Sequence, residues 1–322
     1  MTAGAVAERL ATLDRLAAER GIVLEADAPV GRLTTLRVGG PADRMTVVET
    51  VDELVAAAEL ARDAGVPGGV LGKGSDLVVA DAGVRGLVIR NRADVIEIDG
   101  TTVRAEGGAP MAALVKRCTA AGLAGIEFGI SIPGSVGGAV WANAGAHGGE
   151  MQDVVRRVRA WSPEGGAVVE LGGDACAFAY RESRFKSSGE IVLEAELALE
   201  SGDPRSIEAR VAELQAHRRA TQPLGDQNAG SVFRNPPGDF AGRLIDEAGL
   251  KGLRIGSAEV STLHANFIVA DRGGRASDVR AVGDEVRRVV AERTGVELRY
   301  EIEFVGDWPE LDPAASALAG VT

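Results

Sequence analysis

The sequence predicts a multidomain fold of mixed α/β and α+β class, and three observations carry that prediction. Short apolar runs of strand length alternate with longer stretches whose apolar residues recur at helical spacing. The chain has 322 residues, enough for two or three domains at roughly 100 to 200 residues each. Forty-three glycines against twelve prolines, with only 4% aromatics, favour tight turns and close backbone approaches over a large aromatic core.

Taken in order, residues 5–20 place Val6, Leu10, Leu13, Leu16 and Ala17 on one helical face, and Gly21 is suited to end that helix. A strand at 44–49, a helix at 51–64, a strand ending at Leu71, a glycine-rich loop, and strands at 77–79 and 87–89 make a small α/β unit. Residues 95–98 and 102–105 read as a hairpin across Asp99-Gly100, a turn dipeptide between alternating apolar residues. A helix follows at 111–121, then a second glycine-rich stretch at 125–149 and strand-like segments at 154–161, 168–171 and 191–199. Asp203-Pro204 breaks the pattern, which resumes as a helix at 206–219. Segments at 231–234, 244–248, 265–270, 277–293 and 302–305 predict a further α/β unit, and 314–322 a loose tail.

Composition excludes several classes of function. With 45% hydrophobic and 25% charged residues the chain is neither wholly disordered nor collagen-like. Its net charge of −12 argues against a general surface for nucleic acid or anionic membrane, so any anionic ligand must be held locally. Cys118 and Cys176 are far apart and lack metal-ligand spacing, which predicts buried thiols and no metal site. The first 24 residues lack a basic stretch leading into an apolar run, and no segment approaches the roughly 20 apolar residues of a membrane span. A cytoplasmic protein is expected. The scarcity of lysine, present only at 73, 116, 186 and 251, reads as genomic base composition.

Two loops carry chemistry. Leu71-Gly72-Lys73-Gly74-Ser75-Asp76-Leu77 lies between apolar strands, where small residues let backbone N–H groups approach an anion such as a pyrophosphate. A Rossmann fingerprint would need glycine at Leu77, and a Walker A loop would need glycine at Pro67 and Ser or Thr at Gly74. By itself the loop is equally a structural turn. The run from Ile130 to Gly149 is richer in small residues and permits contact with a large flat ligand and its phosphates; the competing reading is a glycine-rich turn before a core helix. Together the two loops point to one extended nucleotide cofactor. His147 reads as a packed or surface histidine rather than a metal or covalent-flavin ligand.

Thr34-Thr35-Leu36-Arg37-Val38-Gly39-Gly40-Pro41-Ala42-Asp43, the Gly72–Leu77 loop, the stretch from Ile132 to Gly148, Tyr180-Arg181-Glu182-Ser183-Arg184-Phe185, Asn228-Ala229-Gly230-Ser231-Val232-Phe233-Arg234-Asn235-Pro236 and His264-Ala265-Asn266-Phe267-Ile268-Val269 together closely resemble the UDP-N-acetylenolpyruvoylglucosamine reductase family, over nearly the whole chain. The resemblance implies a two-part FAD-binding module of the vanillyl-alcohol-oxidase type followed by a C-terminal α/β substrate domain. It also implies non-covalent FAD, NADPH as reductant, and reduction of the enolpyruvyl ether to UDP-N-acetylmuramate in peptidoglycan synthesis. On this basis residues 1–90 hold the N-terminal helix and first FAD-binding subdomain, 91–204 the second, 205–310 the substrate domain and 311–322 a tail.

The same resemblance assigns site residues. Arg181 would stabilise the enolate-like charge, since a guanidinium stays protonated and grips two carboxylate oxygens. Ser231 would donate the proton. Glu301 would assist, with Glu303 two residues on along the strand as a competing choice. Cofactor contacts are expected from Gly72, Lys73, Gly74, Ser75, Asp76, Leu77, Pro133, Gly134, Ser135, Gly137, Gly138, Asn143, Ala144 and Gly145. Substrate contacts are expected from Tyr180, Asn235 and His264, with Arg218 and Arg219 either helping at the diphosphate or forming a solvated helix end. Asp76, Thr221 and Leu263 depart from the family pattern, and the short interval between Tyr180 and Ser231 implies the subclass without a substrate-capping insertion. Neither nucleic acid, membrane nor an obligatory protein partner is expected. A related FAD oxidase of a hydroxy acid or sugar alcohol, and a non-catalytic flavin-binding protein, are the competing readings.

Overall fold

The computed structural model describes residues 3–309, so the expected tail at 311–322 lies outside the described residues. Helix α1 (Ala3–Arg20) packs on the later helix at 51–64, burying Leu13 and Ala17. Strands β1 (Glu25–Ala28) and β2 (Ala42–Val48) pair antiparallel, and α2 (Val51–Ala64) follows. Its ends are set locally: Thr50 and Glu53 form a reciprocal capping box, and Gly65 closes the helix at φ 65°. Strand β3 (Gly68–Leu71) leads into the first glycine-rich loop, then β4 (Leu77–Val79) and β5 (Val84–Asn91). The first sheet has the order β1-β2-β5-β3, with β2 and β3 parallel to β5.

Strands β6 (Ile96–Asp99) and β7 (Thr102–Glu106) form the expected hairpin. Asp99 pairs with Thr102, so the two loop residues are Gly100 and Thr101 rather than Asp99 and Gly100, and Gly100 supplies the positive φ of 58°. Helix α3 (Met111–Ala120), a 3₁₀ turn (Glu127–Ser131) and the short α4 (Val136–Trp141) follow. Strands β8 (Val155–Ser162), β9 (Ala167–Gly172) and β10 (Ile191–Ala198) complete an antiparallel sheet of order β9-β8-β10-β7-β6. Helix α5 (Pro204–Thr221) begins where the sequence reading placed a break: Asp203 caps it by accepting from Ser206 N, and Pro204 occupies its first turn, where no N–H is needed.

The C-terminal part, expected as a further α/β unit, holds an antiparallel sheet. Strands β11 (Gln227–Asn228), β12 (Arg254–Ile255), β13 (Ala258–Val260) and β14 (Ile268–Ala270) run in the order β11-β14-β13-β12, with α6 (Ala241–Glu247) and α7 (Ala276–Thr294) nearby. Val279, Val282, Val286 and Val290 bury one face of α7 in this core. Residues 231–234 form no regular strand; Phe233 makes a single bridge to Tyr300.

Strand β15 (Glu303–Val305) lies in the expected 302–305 segment, with Ile302 and Phe304 packed in the C-terminal core, and its ladder partner comes from the first unit. It pairs in parallel with β4, Glu303 opposite Leu77. The hydrophobic cores follow this stitching: Leu36, Val38, Val78 and Ala80 belong to the C-terminal cluster, and Val305 to the central one. Among the described residues no helix is long and apolar enough to cross a membrane.

Candidate active site

The two glycine-rich loops face each other across a cavity of about 820 Å³, in the upper range for a small-molecule pocket. Thr35 anchors the first loop: its N–H donates to Gly74 O at 2.9 Å and its hydroxyl to Asn228 O at 2.7 Å. Gly74 sits at φ 59°, where a side chain would meet the Thr34 backbone. A Cβ on Gly134 would come within 3.2 Å of Ser75 Oγ, so the loops approach as closely as glycine allows.

Seven of the expected cofactor residues line the cavity: Ser75, Asp76, Pro133, Gly134, Gly138, Ala144 and Gly145. The other seven do not. Gly72, Lys73, Gly74 and Leu77 shape the first loop, Leu77 being wholly buried in the core and Lys73 exposed. Ser135 is buried at the start of α4, and Gly137 N donates to Gly107 O. Asn143 is buried at φ 42°; its amide donates to Glu150 Oε2 and Ala179 O and accepts from Gln152 N, fixing the second loop from behind. The small residues on facing walls, the Ser75 hydroxyl and an orphaned buried oxygen on Asp76 suit a flavin dinucleotide.

A second cavity of about 440 Å³ adjoins the first. Arg181, Ser231, Asn235, His264 and Glu301 line both, so the three expected catalytic residues stand where the two cavities meet. Arg181 takes φ 57° in the turn closed by paired backbone bonds between Ala179 and Glu182. Its Nε donates to Glu301 Oε1 at 2.7 Å, its Nη2 to Gly145 O at 2.9 Å, and its guanidinium stands 5.1 Å from the Tyr180 ring centre. Ser231 follows Gly230 at φ 75°; flanking bonds from Gly230 N to Asn228 Oδ1 and from Val232 N to Asn266 O hold it in place.

Glu301 precedes β15, and its N–H donates to Val232 O at 2.8 Å. Glu303 does not share its surroundings: its carboxylate takes the Lys186 ammonium at 2.7 Å. Glu301 lines both cavities and Glu303 lines neither. Of the expected substrate residues, Tyr180 lines the second cavity and Asn235 and His264 line both. Asn235 Oδ1 accepts from Ala241 N and its own N–H donates to the Tyr180 hydroxyl, so it also fixes the approach to α6. Burial, aided by Lys251, holds His264 below the ordinary histidine range. Tyr180, Phe240 and the departing Leu263 are exposed apolar side chains on the wall of this second cavity.

Arg218 lines the large cavity and bonds to Gln222, whereas Arg219 is exposed and lines neither. Thr221 bonds back to His217 O within its helix. His147 is exposed at the rim, 3.1 Å from Ser131 Oγ and edge-on to His217. Cys118 and Cys176 are free and buried, their thiols pushed up to about 12 and about 11 by burial.

Lys186 was missed by the sequence reading. It lines the large cavity with its Nζ 4.1 Å from the Trp141 ring centre. One signal pointed to it: lysine at only four positions of an arginine-rich chain, one of them directly after Phe185 of the quoted motif. Burial and then Glu303 push the Asp76 carboxyl up to about 7, with Lys186 pulling the other way.

Comparison with known proteins agrees with this arrangement. Residues 222–305 match the family described as UDP-N-acetylenolpyruvoylglucosamine reductase, C-terminal domain, and residues 41–172 match an FAD binding domain. UDP-N-acetylenolpyruvoylglucosamine reductase 2 of Symbiobacterium thermophilum is 43% identical over 311 residues, 96% of this chain and 99% of that protein. The reductase of Rubrobacter xylanophilus is 43% identical over 286 residues, 87% of this chain and 95% of its own. The crystal structure of UDP-N-acetylenolpyruvylglucosamine reductase from Thermus caldophilus superposes with a TM-score of 0.76 at 37% identity, covering 89% of this chain and 99% of that one. An FAD-binding module, a reductase C-terminal domain and 43% identity to a relative over 96% of this chain's length place the chain in the UDP-N-acetylenolpyruvoylglucosamine reductase family.

Proposed function

We propose that this chain reduces UDP-N-acetylenolpyruvoylglucosamine to UDP-N-acetylmuramate with NADPH as reductant, in the cytoplasm, as a step of peptidoglycan precursor synthesis. The observation that supports it best is the meeting of the two cavities at Arg181, Ser231 and Glu301. Ser75, Asp76 and the Gly134–Gly145 wall would hold FAD in the larger cavity, and the smaller one would take the sugar nucleotide. Bound FAD supplies a two-electron carrier between NADPH and the substrate's double bond.

The protein's own side chains handle the charge and the proton. Hydride delivered to the terminal alkene carbon drives an electron pair toward the carboxylate, and the substrate becomes an enolate-like dianion. Arg181, always protonated, neutralises that charge from a fixed position: Glu301 and the Gly145 carbonyl hold Nε and Nη2, leaving Nη1 without a hydrogen-bond partner among the described residues. The Ser231 hydroxyl gives its proton to the carbon beside the carboxylate, and Arg181 offsets the resulting alkoxide until solvent reprotonates it. One hydride and one proton saturate the bond. Asn235, Tyr180 and His264 orient the sugar nucleotide in the second cavity.

Anaerobic mixing tests the reading. The purified yellow protein should bleach with NADPH and regain its colour on adding the enolpyruvyl substrate, with UDP-N-acetylmuramate formed stoichiometrically. An oxidase would ignore NADPH, and a non-catalytic flavin protein would not turn over.

A further inference from the structure

Around Asp76 the charges do not balance if every carboxyl is ionised. Three carboxyls, Asp76, Glu301 and Glu303, face two cations, Arg181 and Lys186, across the wall of the large cavity. Arg181 is committed to Glu301 and Lys186 to Glu303, each at 2.7 Å. Asp76 is the group left over. Its position is fixed by backbone, since Glu303 N on β15 donates to Asp76 O at 2.8 Å. Part of its surface faces the cavity, yet its Oδ1 is buried and has no hydrogen-bond partner among the described residues.

An ionised carboxylate with an orphaned oxygen beside two others is costly, and the usual escape is to keep the proton. A neutral carboxylic acid brings something a carboxylate lacks, an O–H to donate, and a buried acid used in this way is an established chemical device. We propose that Asp76 acts as a cofactor-positioning residue in its neutral form, donating a hydrogen bond to the bound flavin dinucleotide and releasing its hold when it ionises. The proposal rests on the flavoenzyme reading above. Burial and Glu303, opposed by Lys186, push the Asp76 carboxyl up to about 7, so the switch would fall within the pH range tested below. Ionisation also turns an attraction into a repulsion, because it sets a carboxylate against an anionic dinucleotide.

The test is the affinity of the apoprotein for FAD between pH 6 and pH 8.5, read by quenching of flavin fluorescence with circular dichroism as a check on folding. Wild type should bind more than tenfold more weakly at the upper pH, a tenfold loss per pH unit above the transition being the limit for one proton. Asp76→Asn keeps a donor that cannot ionise and should bind with little dependence on pH. Glu303→Gln removes a neighbouring negative charge and should move the transition to lower pH. A wild-type affinity that ignores pH, the same slope in Asp76→Asn, or an unmoved transition in folded Glu303→Gln would each overturn the assignment. Failure to bind FAD at any pH would overturn the flavoenzyme reading as well, so the two failures are distinguishable.

Discussion

Arg181 Nε meets Glu301 Oε1 at 2.7 Å across 120 residues of sequence. The bond joins the turn closed between Ala179 and Glu182 to the segment that follows α7, and both side chains are mostly buried. A charge-assisted bond of this kind orients the guanidinium while leaving one of its nitrogens to the substrate.

Glu301→Gln keeps the shape of that contact and removes its charge. Hydrogen bonds to charged groups contribute about 1.5–3 kcal/mol, so product formation should slow by roughly 10- to 100-fold. Flavin reduction by NADPH, which creates no enolate, should change little. Stopped-flow absorbance resolves the two half-reactions, and an equal fall in both would assign Glu301 to the cofactor site instead.

Ser231→Ala removes the proposed proton donor. General acid catalysis contributes about 10²- to 10⁴-fold, and the loss should fall on product formation alone. With substrate in deuterated solvent, wild type should incorporate deuterium at the carbon beside the carboxylate with a single configuration. Retained rate and stereochemistry in the alanine variant would remove Ser231 from the mechanism.

Asp81→Ala should cost stability rather than chemistry. The residue at the N-terminus of α7, Arg275, makes no capping bond, and Asp81 supplies one from the preceding unit by accepting from Ala276 N at 2.8 Å and Ser277 N at 3.2 Å. Losing such a cap costs about 1 kcal/mol, about 2 °C in Tm for a chain of this size. Desolvation pushes the Asp81 carboxyl up, but bonds from Ser277 and Ala276 bring it below the ordinary aspartate range. The unfolded chain therefore binds the proton more readily. The gap between wild type and variant should be full above about pH 5 and close as pH falls below about 4, as scanning calorimetry would register.

Asp76→Asn should show the opposite dependence in the apoprotein. The folded Asp76 holds its proton to about pH 7, whereas an unfolded aspartate releases it near about 3.9. Between those values the native state binds more protons, so this residue makes wild type lose stability as pH rises. The Tm advantage of the asparagine variant should be small at pH 4, grow toward pH 7 and level off above it. An advantage equal at pH 4 and pH 8 would place the Asp76 proton elsewhere.

Much of this architecture was legible where local chemistry decides it. Thr50 and Glu53 mark the start of α2, Gly65 its end, and alternation marks the β6–β7 hairpin. The resemblance also named Arg181, Ser231 and Glu301, and all three line both cavities. The break at Asp203-Pro204 and the helix after it were legible, and the helix starts two residues earlier than 206 because Asp203 caps it and Pro204 suits its first turn. The β4–β15 pairing was illegible, since three-residue strands carry no periodicity and their register is set by the surrounding cores. Asp76 could be seen to depart from the family pattern, but its burial against Glu303 follows from that pairing and from no local signal. Leu77 and Asn143 are buried and outside the cavity lining, because one motif can contain both residues that border a cavity and residues that hold its loop in shape.

The parallel seam between Leu77–Val79 and Glu303–Val305 has a consequence for biosynthesis. Both glycine-rich loops leave the ribosome well before the strand that seats Asp76. Until Glu303 is made, β4 lacks this partner and Asp76 O lacks its bond from Glu303 N, so the first glycine-rich loop is fully tied down only after the last strand exists.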